Sequence, residues 1–100
     1  MESFEMPVKI LCVDDERNVL RALERIFLDD DYEIVTAGSG EEGLEIMTEA
    51  GGSFQVGVSD YWMPVMHGVE FLKEVYERWP DTVRIVLSGY ADAGAIVAAI

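Results

Sequence analysis

The chain has 100 residues, 50% of them apolar, which is enough for one small domain with a hydrophobic core but too short for two domains. Twenty acidic residues against seven basic ones give a formal net charge of -13. Because phosphate backbones are bound by clusters of lysine and arginine, this charge argues against direct contact with nucleic acid.

The sequence shows no sign of a membrane or secreted location. The first residues, MESFEMP, lack the basic start and apolar stretch of a secretory signal, and no run approaches the roughly 18 apolar residues of a membrane helix. Cys12 is the only cysteine, so an intrachain disulfide is excluded, and its apolar neighbours suggest a buried thiol in a reducing compartment. We therefore expect a cytoplasmic protein without membrane contact.

The chain begins with the pattern of a strand followed by a helix. Residues 8–13 (VKILCV) form a short apolar run, which predicts a buried strand. Apolar residues then recur at helical spacing with charged residues opposite them, so we expect an amphipathic helix packed on a sheet. The apolar positions are Val19, Leu20, Leu23, Ile26 and Phe27.

The same pattern follows a second time. Residues 32–37 (YEIVTA) are rich in β-branched side chains and are followed by a glycine-rich break, which predicts a strand. Ser39 and Glu42 have the spacing of a capping box, so we expect a helix from about Gly40. The glycine pair at 51–52 then ends this helix.

Two further strand–helix pairs complete the series. Residues 54–59 (FQVGVS) and 82–87 (TVRIVL) are apolar runs that predict strands. A helical stripe between them ends at Pro80, and we interpret it as core rather than as a cofactor-binding surface. A fourth helix is expected to start at Asp92 and to run to Ile100. The stripe consists of Leu72, Val75, Tyr76 and Trp79.

Four strand–helix units in series predict an α/β fold with a mostly parallel sheet and helices on both faces. Ligands of such sheets bind at the carboxyl ends of the strands. Asp14 and Asp15 follow the first apolar run, Asp60 the third and Ser88 the fourth, so these groups are expected to converge at one edge. Two like charges about 4 Å apart repel by roughly 4 kcal/mol at an effective dielectric constant of about 20, so we expect a cation there.

Three motifs occur in a specific order along the chain. Residues 13–16 read V-D-D-E, residues 60–68 read D-x-x-M-P-x-M-x-G and residues 87–92 read L-S-G-Y-A-D. With this order and spacing, the chain closely resembles the receiver domain of two-component response regulators over essentially its whole length. The resemblance implies a flavodoxin-like doubly wound parallel sheet with strand order 2-1-3-4, without the fifth strand and fifth helix of the family.

The resemblance also implies roles for the residues at the strand ends. Asp60 would be the phosphoacceptor, which attacks a phosphohistidine on a sensor histidine kinase and becomes an aspartyl phosphate. Mg²⁺, or Mn²⁺ in its place, would be held directly by Asp15 and Asp60 and by the backbone carbonyl of Trp62, with Asp14 acting mainly through water. Such a module assists its own phosphotransfer and dephosphorylation but is not a turnover enzyme.

The resemblance further implies that Ser88 is the switch hydroxyl. It would bond a phosphoryl oxygen once Asp60 is modified and draw in the loop after the fourth strand, which would control an output segment outside this chain. The residues implied to flank the site are Met63, Pro64, Gly68, Gly89 and Tyr90.

The chain departs from the family pattern where a lysine is expected. Family members carry this lysine at the end of a fifth strand, whereas the chain stops at Ile100 and its only lysines, Lys9 and Lys73, are in the wrong places. Residues 1–100 are therefore expected to be a receiver domain that is incomplete at its C-terminus. A fourth strand at the edge of the sheet is a template for pairing, so we expect a homodimer or a segment-exchanged oligomer.

Several alternative interpretations remain open. The chain could be a truncated or pseudo-receiver that acts as a dimerising interaction module without productive phosphorylation. It could also be a magnesium phosphohydrolase, although those enzymes need two acids separated by one residue, whereas Asp14 and Asp15 are adjacent. The same two residues could cap the first helix, Asp60 could be a turn residue, and Ser88 could bond its own backbone. We interpret His67, with no histidine or cysteine near it in sequence, as a surface residue.

Overall fold

A computed structural model describes residues 7–28 and 30–87, and strands and helices alternate through this part of the chain. The elements are β1 (Val8–Val13), α1 (Arg17–Ile26), β2 (Tyr32–Ala37), α2 (Gly40–Glu49), β3 (Val56–Asp60), α3 (Gly68–Arg78) and β4 (Val83–Leu87). All strand pairs are parallel, in the order β2-β1-β3-β4, which confirms the predicted flavodoxin-like sheet. The predicted fourth helix and the predictions for Ser88, Gly89 and Tyr90 lie outside the described residues.

The strand register brings the carboxyl ends of the strands into line. Val13 at the end of β1 pairs with Ala37 of β2 and with Ser59 of β3. Ser59 in turn pairs with Val86 of β4. The residues that follow these four positions therefore emerge at the same edge of the sheet, as parallel pairing requires.

The main hydrophobic core lies between the sheet and the two helices α2 and α3. Phe71, Leu72 and Val75 of α3 are completely buried there. The prediction that the α3 stripe is core is wrong for Tyr76, which is 53% exposed. Its ring packs on the guanidinium of Arg84, 4.7 Å from the ring centroid, instead of entering the core. The fully buried side chains of the strands and of α2 that complete this core are Leu11, Val13, Met47 and Val86.

Helix α1 covers the other face of the sheet less completely. Ile10, Cys12 and Leu20 form a smaller buried cluster there. Burial raises the pKa of the Cys12 thiol to about 11, with a further contribution from Glu24, which agrees with the predicted buried thiol. The predicted stripe is wrong at Ile26, which is 66% exposed because it is the last residue of the helix and lies at the margin of the apolar face.

Helix α2 starts and stops where its sequence predicts. The Ser39 hydroxyl accepts a hydrogen bond from the Glu42 amide at 3.1 Å. The Glu42 carboxylate accepts from the Gly38 amide at 2.8 Å rather than from the Ser39 amide. The second hydrogen bond of the capping box therefore reaches one residue before the N-cap. Gly51 and Gly52 follow with φ of 67° and 75°, which ends the helix. A Cβ on Gly52 would collide with the Trp79 ring.

The sequence placed some strand boundaries only to within two residues. β3 begins at Val56 rather than at Phe54, and it includes Asp60 as its last residue instead of ending before it. Phe54 is nevertheless buried, at the opposite end of the sheet from Asp60. Among the described residues, no helix has the length and apolar character needed to cross a lipid bilayer.

Candidate metal site

Three carboxylates meet at the carboxyl edge of the sheet, as the sequence predicts. Asp14 and Asp15 directly follow β1, and Asp60 ends the neighbouring strand β3. One oxygen from each side chain lies within 4.8 Å of the others, and within the part of the chain described this is the single group of acids, histidines or cysteines so arranged. The expected convergence of these three residues is confirmed, and Asp60 is not an isolated turn residue.

Asp14 is the most buried member of the cluster. Its side chain is 8% exposed and accepts a hydrogen bond from the Glu16 amide at 2.9 Å. Burial raises the pKa of the Asp14 carboxyl to about 6, and repulsion from Asp60, Asp15 and Glu16 adds to this, while the Glu16 amide acts in the opposite direction. The carboxylate therefore pays a desolvation penalty that a bound cation could offset.

The helix-capping alternative for Asp14 fits only in part. The N-cap residue of α1 is Glu16, whose own side chain makes no capping hydrogen bond. Asp14 bonds the amide of Glu16 itself, not the amides of the first turn of the helix, so it shapes the turn between β1 and α1. This leaves lone pairs of the carboxylate for another partner.

Opposing effects act on the pKa of the Asp60 carboxyl. Burial raises the pKa of its carboxyl most, followed by repulsion from Asp15, whereas the nearby backbone N–H groups of Tyr61 and Trp62 lower it. A smaller repulsion comes from Glu16. The net direction is upward, because burial and the neighbouring carboxylates oppose the charged form.

The carboxylate spacing fits a small hard cation. Mg²⁺ takes oxygen ligands, usually one or two carboxylates, and keeps several of its water molecules. One oxygen from each of Asp14, Asp15 and Asp60 lies within 4.8 Å of the others, which is close enough for a single hydrated ion to be shared directly or through water. All donors are carboxylates, which suits Mg²⁺ or Mn²⁺ better than a softer metal.

The loop after Asp60 carries an aromatic rim beside the acids. Trp62 is 51% exposed, and its ring packs edge-on between Tyr61 at 4.7 Å and His67 at 5.7 Å, measured between ring centroids. His67 is exposed, and its amide donates to the Glu70 carboxylate at 3.0 Å at the start of α3, which agrees with a surface residue. The backbone carbonyl of Trp62 stays a predicted metal ligand.

The motif residues of this loop have clear structural roles. Met63 is 3% exposed and anchors the loop in the main core. The Pro64 carbonyl accepts from the Met66 amide at 2.7 Å in a tight turn around Val65. A Cβ on Gly68 would collide with the Asp60 carbonyl oxygen. Because glycine has no Cβ, the first turn of α3 packs directly on the backbone of the predicted phosphoacceptor.

Sequence reasoning missed two features of this region. Val65 has φ of 69°, a left-handed conformation that β-branched residues rarely adopt, and its side chain is 88% exposed. Ser59 is completely buried in β3, directly before Asp60. A polar residue within an otherwise apolar strand was a visible signal for Ser59, whereas no residue type signals the backbone angle of Val65.

Basic residues near the acids come from helix α1. A cleft of about 410 Å³ opens beside Asp14 and Asp15, and both Arg17 and Arg21 line it. Both arginines lie opposite the apolar stripe of α1 in the helical period. Among the described residues the two lysines are elsewhere: Lys9 donates to Ser53 Oγ at 3.0 Å at the opposite end of the sheet, and Lys73 is exposed on α3.

Comparison with known proteins gives one consistent family. The family model described as the response regulator receiver domain matches residues 10–100. The chain is 44% identical over 91 residues to the hydrogenase transcriptional regulatory protein HoxA of Cupriavidus necator, covering 91% of this chain and 18% of HoxA. It is 41% identical over 83 residues to the sensor kinase CckA of Brucella abortus, covering 83% of this chain and 9% of CckA.

Solved structures agree with these relatives. The crystal structure of a response regulator receiver domain protein from Clostridium thermocellum has a TM-score of 0.78 and 36% identity, over 85% of this chain and 68% of that one. The chain therefore spans less than a fifth of the length of the curated relatives described above, but most of the length of this receiver structure.

Proposed function

Because the chain belongs to the response regulator receiver family of two-component signalling, we propose that Asp60 accepts a phosphoryl group from a sensor histidine kinase in a Mg²⁺-dependent reaction. Family members are signalling modules rather than turnover enzymes. The observation that carries the proposal for this chain is the convergence of the Asp14, Asp15 and Asp60 carboxylates within 4.8 Å.

The proposed step is a displacement at phosphorus. An oxygen of Asp60 forms the new bond to phosphorus, the bond from phosphorus to the imidazole nitrogen breaks, and the electron pair stays on that nitrogen. Mg²⁺, held by the three carboxylates and the Trp62 carbonyl, would supply positive charge that offsets their repulsion and the charge on the phosphoryl oxygens.

The switch is proposed to be the Ser88 hydroxyl, which would bond the phosphoryl group and draw in its loop. Its neighbour Leu87 supports this: the Leu87 carbonyl accepts from the Tyr61 amide at 2.9 Å, so the last residue of β4 lies beside the residue that follows Asp60. What the switch controls is proposed to lie outside this chain. One relative is named as a transcriptional regulatory protein and another as a sensor kinase. Their names therefore do not indicate which output this chain would control.

A second copy of the chain is a further proposed partner, through the outer edge of β4. Val83 of this strand is 50% exposed, and β4 is the last strand of the described sheet. Light scattering at increasing concentration tests the proposal, which predicts a dimer. A monomer at high concentration would contradict it.

Intact-mass measurement after incubation with acetyl phosphate and Mg²⁺ tests the proposed function. We expect the mass to increase by one phosphoryl group, and the increase to disappear in Asp60→Asn and after chelation of the metal. Asp81→Asn is the matched control, because Asp81 is an exposed acid in the turn before β4, at the opposite end of the sheet. Labelling that survives in Asp60→Asn would contradict the assignment of the phosphoacceptor.

The same measurement decides between this function and a pseudo-receiver. The observation that favours the alternative is that neither described lysine, Lys9 or Lys73, lies beside the carboxylates. A chain that binds Mg²⁺ but takes no label, under conditions that label another receiver, would favour an interaction module without phosphorylation.

A further inference from the structure

A buried hydroxyl lies directly beneath the proposed phosphoacceptor. Ser59 is 0% exposed and sits in the centre of the sheet, paired with Val13 of β1 on one side and Val86 of β4 on the other. Its Oγ donates a hydrogen bond to the backbone carbonyl oxygen of Asp60 at 3.0 Å. A buried hydroxyl is unfavourable unless it is bonded, and alanine would fit an apolar core more simply. The presence of a hydroxyl here therefore indicates that its hydrogen bond to Asp60 has a function.

The bond holds one end of the peptide group between Asp60 and Tyr61. The other end of this group, the Tyr61 amide, donates to the Leu87 carbonyl at 2.9 Å. Because a peptide group is planar, fixing its carbonyl also fixes the direction of its N–H. Ser59 and Leu87 together leave this peptide group little freedom to rotate.

The next peptide group is held in the same manner. The Tyr61 carbonyl accepts from the Gly68 amide at 3.0 Å, at the first residue of α3. Gly68 can approach this closely because it has no Cβ to collide with the Asp60 carbonyl. The two peptide groups that follow Asp60 thus each have a carbonyl held by a donor, Ser59 Oγ for the first and the Gly68 amide for the second.

We propose that Ser59 is a positioning residue for Asp60: its buried hydroxyl fixes the Asp60–Tyr61 peptide group and thereby aims the Asp60 carboxylate at Asp14 and Asp15. The expected effect of Ser59 on phosphotransfer rests on the proposed phosphoacceptor function. Its consequence for metal binding is independent of phosphorylation, because the same carboxylate is a proposed metal ligand. Residues that orient a metal ligand typically change affinity or activity by about 10–100-fold when they are removed.

Two matched variants of the full chain test the role of Ser59. Ser59→Ala removes its hydroxyl alone. Thr82→Val removes a second buried hydroxyl, which donates to the Phe54 carbonyl at 2.9 Å at the far end of the sheet. Both variants lose one buried hydrogen bond, so we expect comparable decreases in melting temperature. Mg²⁺ affinity is measured by the fluorescence of Trp62 beside the site, and the labelling rate by intact mass with acetyl phosphate.

We expect Ser59→Ala to weaken Mg²⁺ binding by about tenfold and to slow labelling at saturating Mg²⁺ by a similar factor, while Thr82→Val changes neither. Ser59→Cys, which keeps the volume but donates weakly, should show a smaller loss in the same direction and serves if the alanine variant does not fold. Unchanged Mg²⁺ affinity and labelling in both Ser59 variants, or an equal loss in Thr82→Val, would overturn the proposal. A wild-type chain that binds Mg²⁺ but takes no label would contradict the proposed function, and the Mg²⁺ titrations would still decide the role of Ser59.

Discussion

Val65 holds a backbone conformation that its side chain disfavours. With φ of 69°, its Cβ is crowded against the neighbouring backbone, which destabilises a non-glycine residue by roughly 1–2 kcal/mol. Its side chain is 88% exposed, so burial does not compensate this strain. The tight turn between Pro64 and Met66 imposes the conformation.

We expect Val65→Gly to stabilise the fold, because glycine adopts positive φ without strain. The expected increase in the free energy of unfolding is about 1 kcal/mol, measured by urea denaturation. Val69→Gly is the control, because Val69 is also partly exposed but lies in the first turn of α3, where glycine should destabilise the helix. A loss of stability in both variants would show that the Val65 side chain makes a contact that outweighs the strain.

The raised pKa of Asp14 predicts how stability depends on pH without a metal. Its folded-state pKa of about 6 lies above the usual 3.8, so the folded state binds this proton more tightly than the unfolded chain does. The stabilisation is therefore fully present below about pH 4 and is lost as the pH rises through 6. The shift of about two units corresponds to at most roughly 3 kcal/mol.

Asp14→Asn isolates this contribution. In metal-free buffer the variant should gain stability relative to the wild type as the pH rises from 4.5 to 7, measured by urea denaturation at each pH. A difference that does not change over this range would show that Asp14 titrates normally. With Mg²⁺ at pH 7 the order should reverse, because the wild type alone keeps all three carboxylates.

The convergence of the three acids was predictable because Asp14 and Asp15 follow a recognisable parallel strand and Asp60 ends another. Parallel strands end at one edge whatever the side-chain details, so sequence position was sufficient. The buried hydrogen bond of Ser59 was not predictable in this way. Its acceptor becomes available only because of the direction of one peptide group, which no residue type encodes.

At the scale of elements, the contact between α3 and β3 positions the site. Gly68 brings the first turn of α3 onto the Asp60 carbonyl and donates to the Tyr61 carbonyl at 3.0 Å. A side chain at position 68 must push these two elements apart. The loop between them, which carries Trp62, would move with the helix.

We therefore expect Gly68→Ala to lower the free energy of unfolding by about 2 kcal/mol, in the range for overpacking, and to weaken Mg²⁺ binding as well. Gly57→Ala is a close control, because Gly57 is buried in the same strand but an added Cβ would meet its nearest atom at 3.9 Å, an ordinary contact. Urea denaturation and Mg²⁺ titration of both variants provide the measurements. Similar behaviour of the two variants would contradict the importance of the α3–β3 contact.

The existence and order of the seven described elements were predictable, since apolar runs alternate with helical stripes from residue 8 to residue 87. Individual side chains at the edges of those stripes were less so. Ile26 and Tyr76 match the helical period but are exposed, because the period does not show how far the sheet extends beneath each helix. The same limit applies to Phe54, which is buried although it lies outside β3.

At the scale of the whole molecule, the formal charge of -13 and the acidic cluster make stability dependent on cations. We expect the melting temperature to rise in millimolar Mg²⁺, because a ligand that binds only the folded state stabilises it by mass action, by about 2.7 kcal/mol at one hundred times its dissociation constant. Asp15→Asn should abolish most of the rise, whereas Asp30→Asn, an exposed acid away from the cluster, should leave it unchanged. An equal rise in Asp15→Asn would indicate general screening instead of a specific site.

The resemblance to receivers was visible in the spacing of three motifs, and the family match over residues 10–100 agrees with it. The roles of Ser88, Gly89 and Tyr90 stay predictions because they lie outside the described residues. A cytoplasmic location and the absence of a nucleic-acid surface also stay predictions.

The most direct test of the central claim is to locate the phosphoryl group on the chain. After incubation with acetyl phosphate and Mg²⁺, borohydride reduction converts an aspartyl phosphate to homoserine, which peptide mapping assigns to one position. We expect homoserine at position 60, and only when Mg²⁺ is present. Homoserine at position 14 or 15, or equal modification at position 60 without the metal, would contradict it.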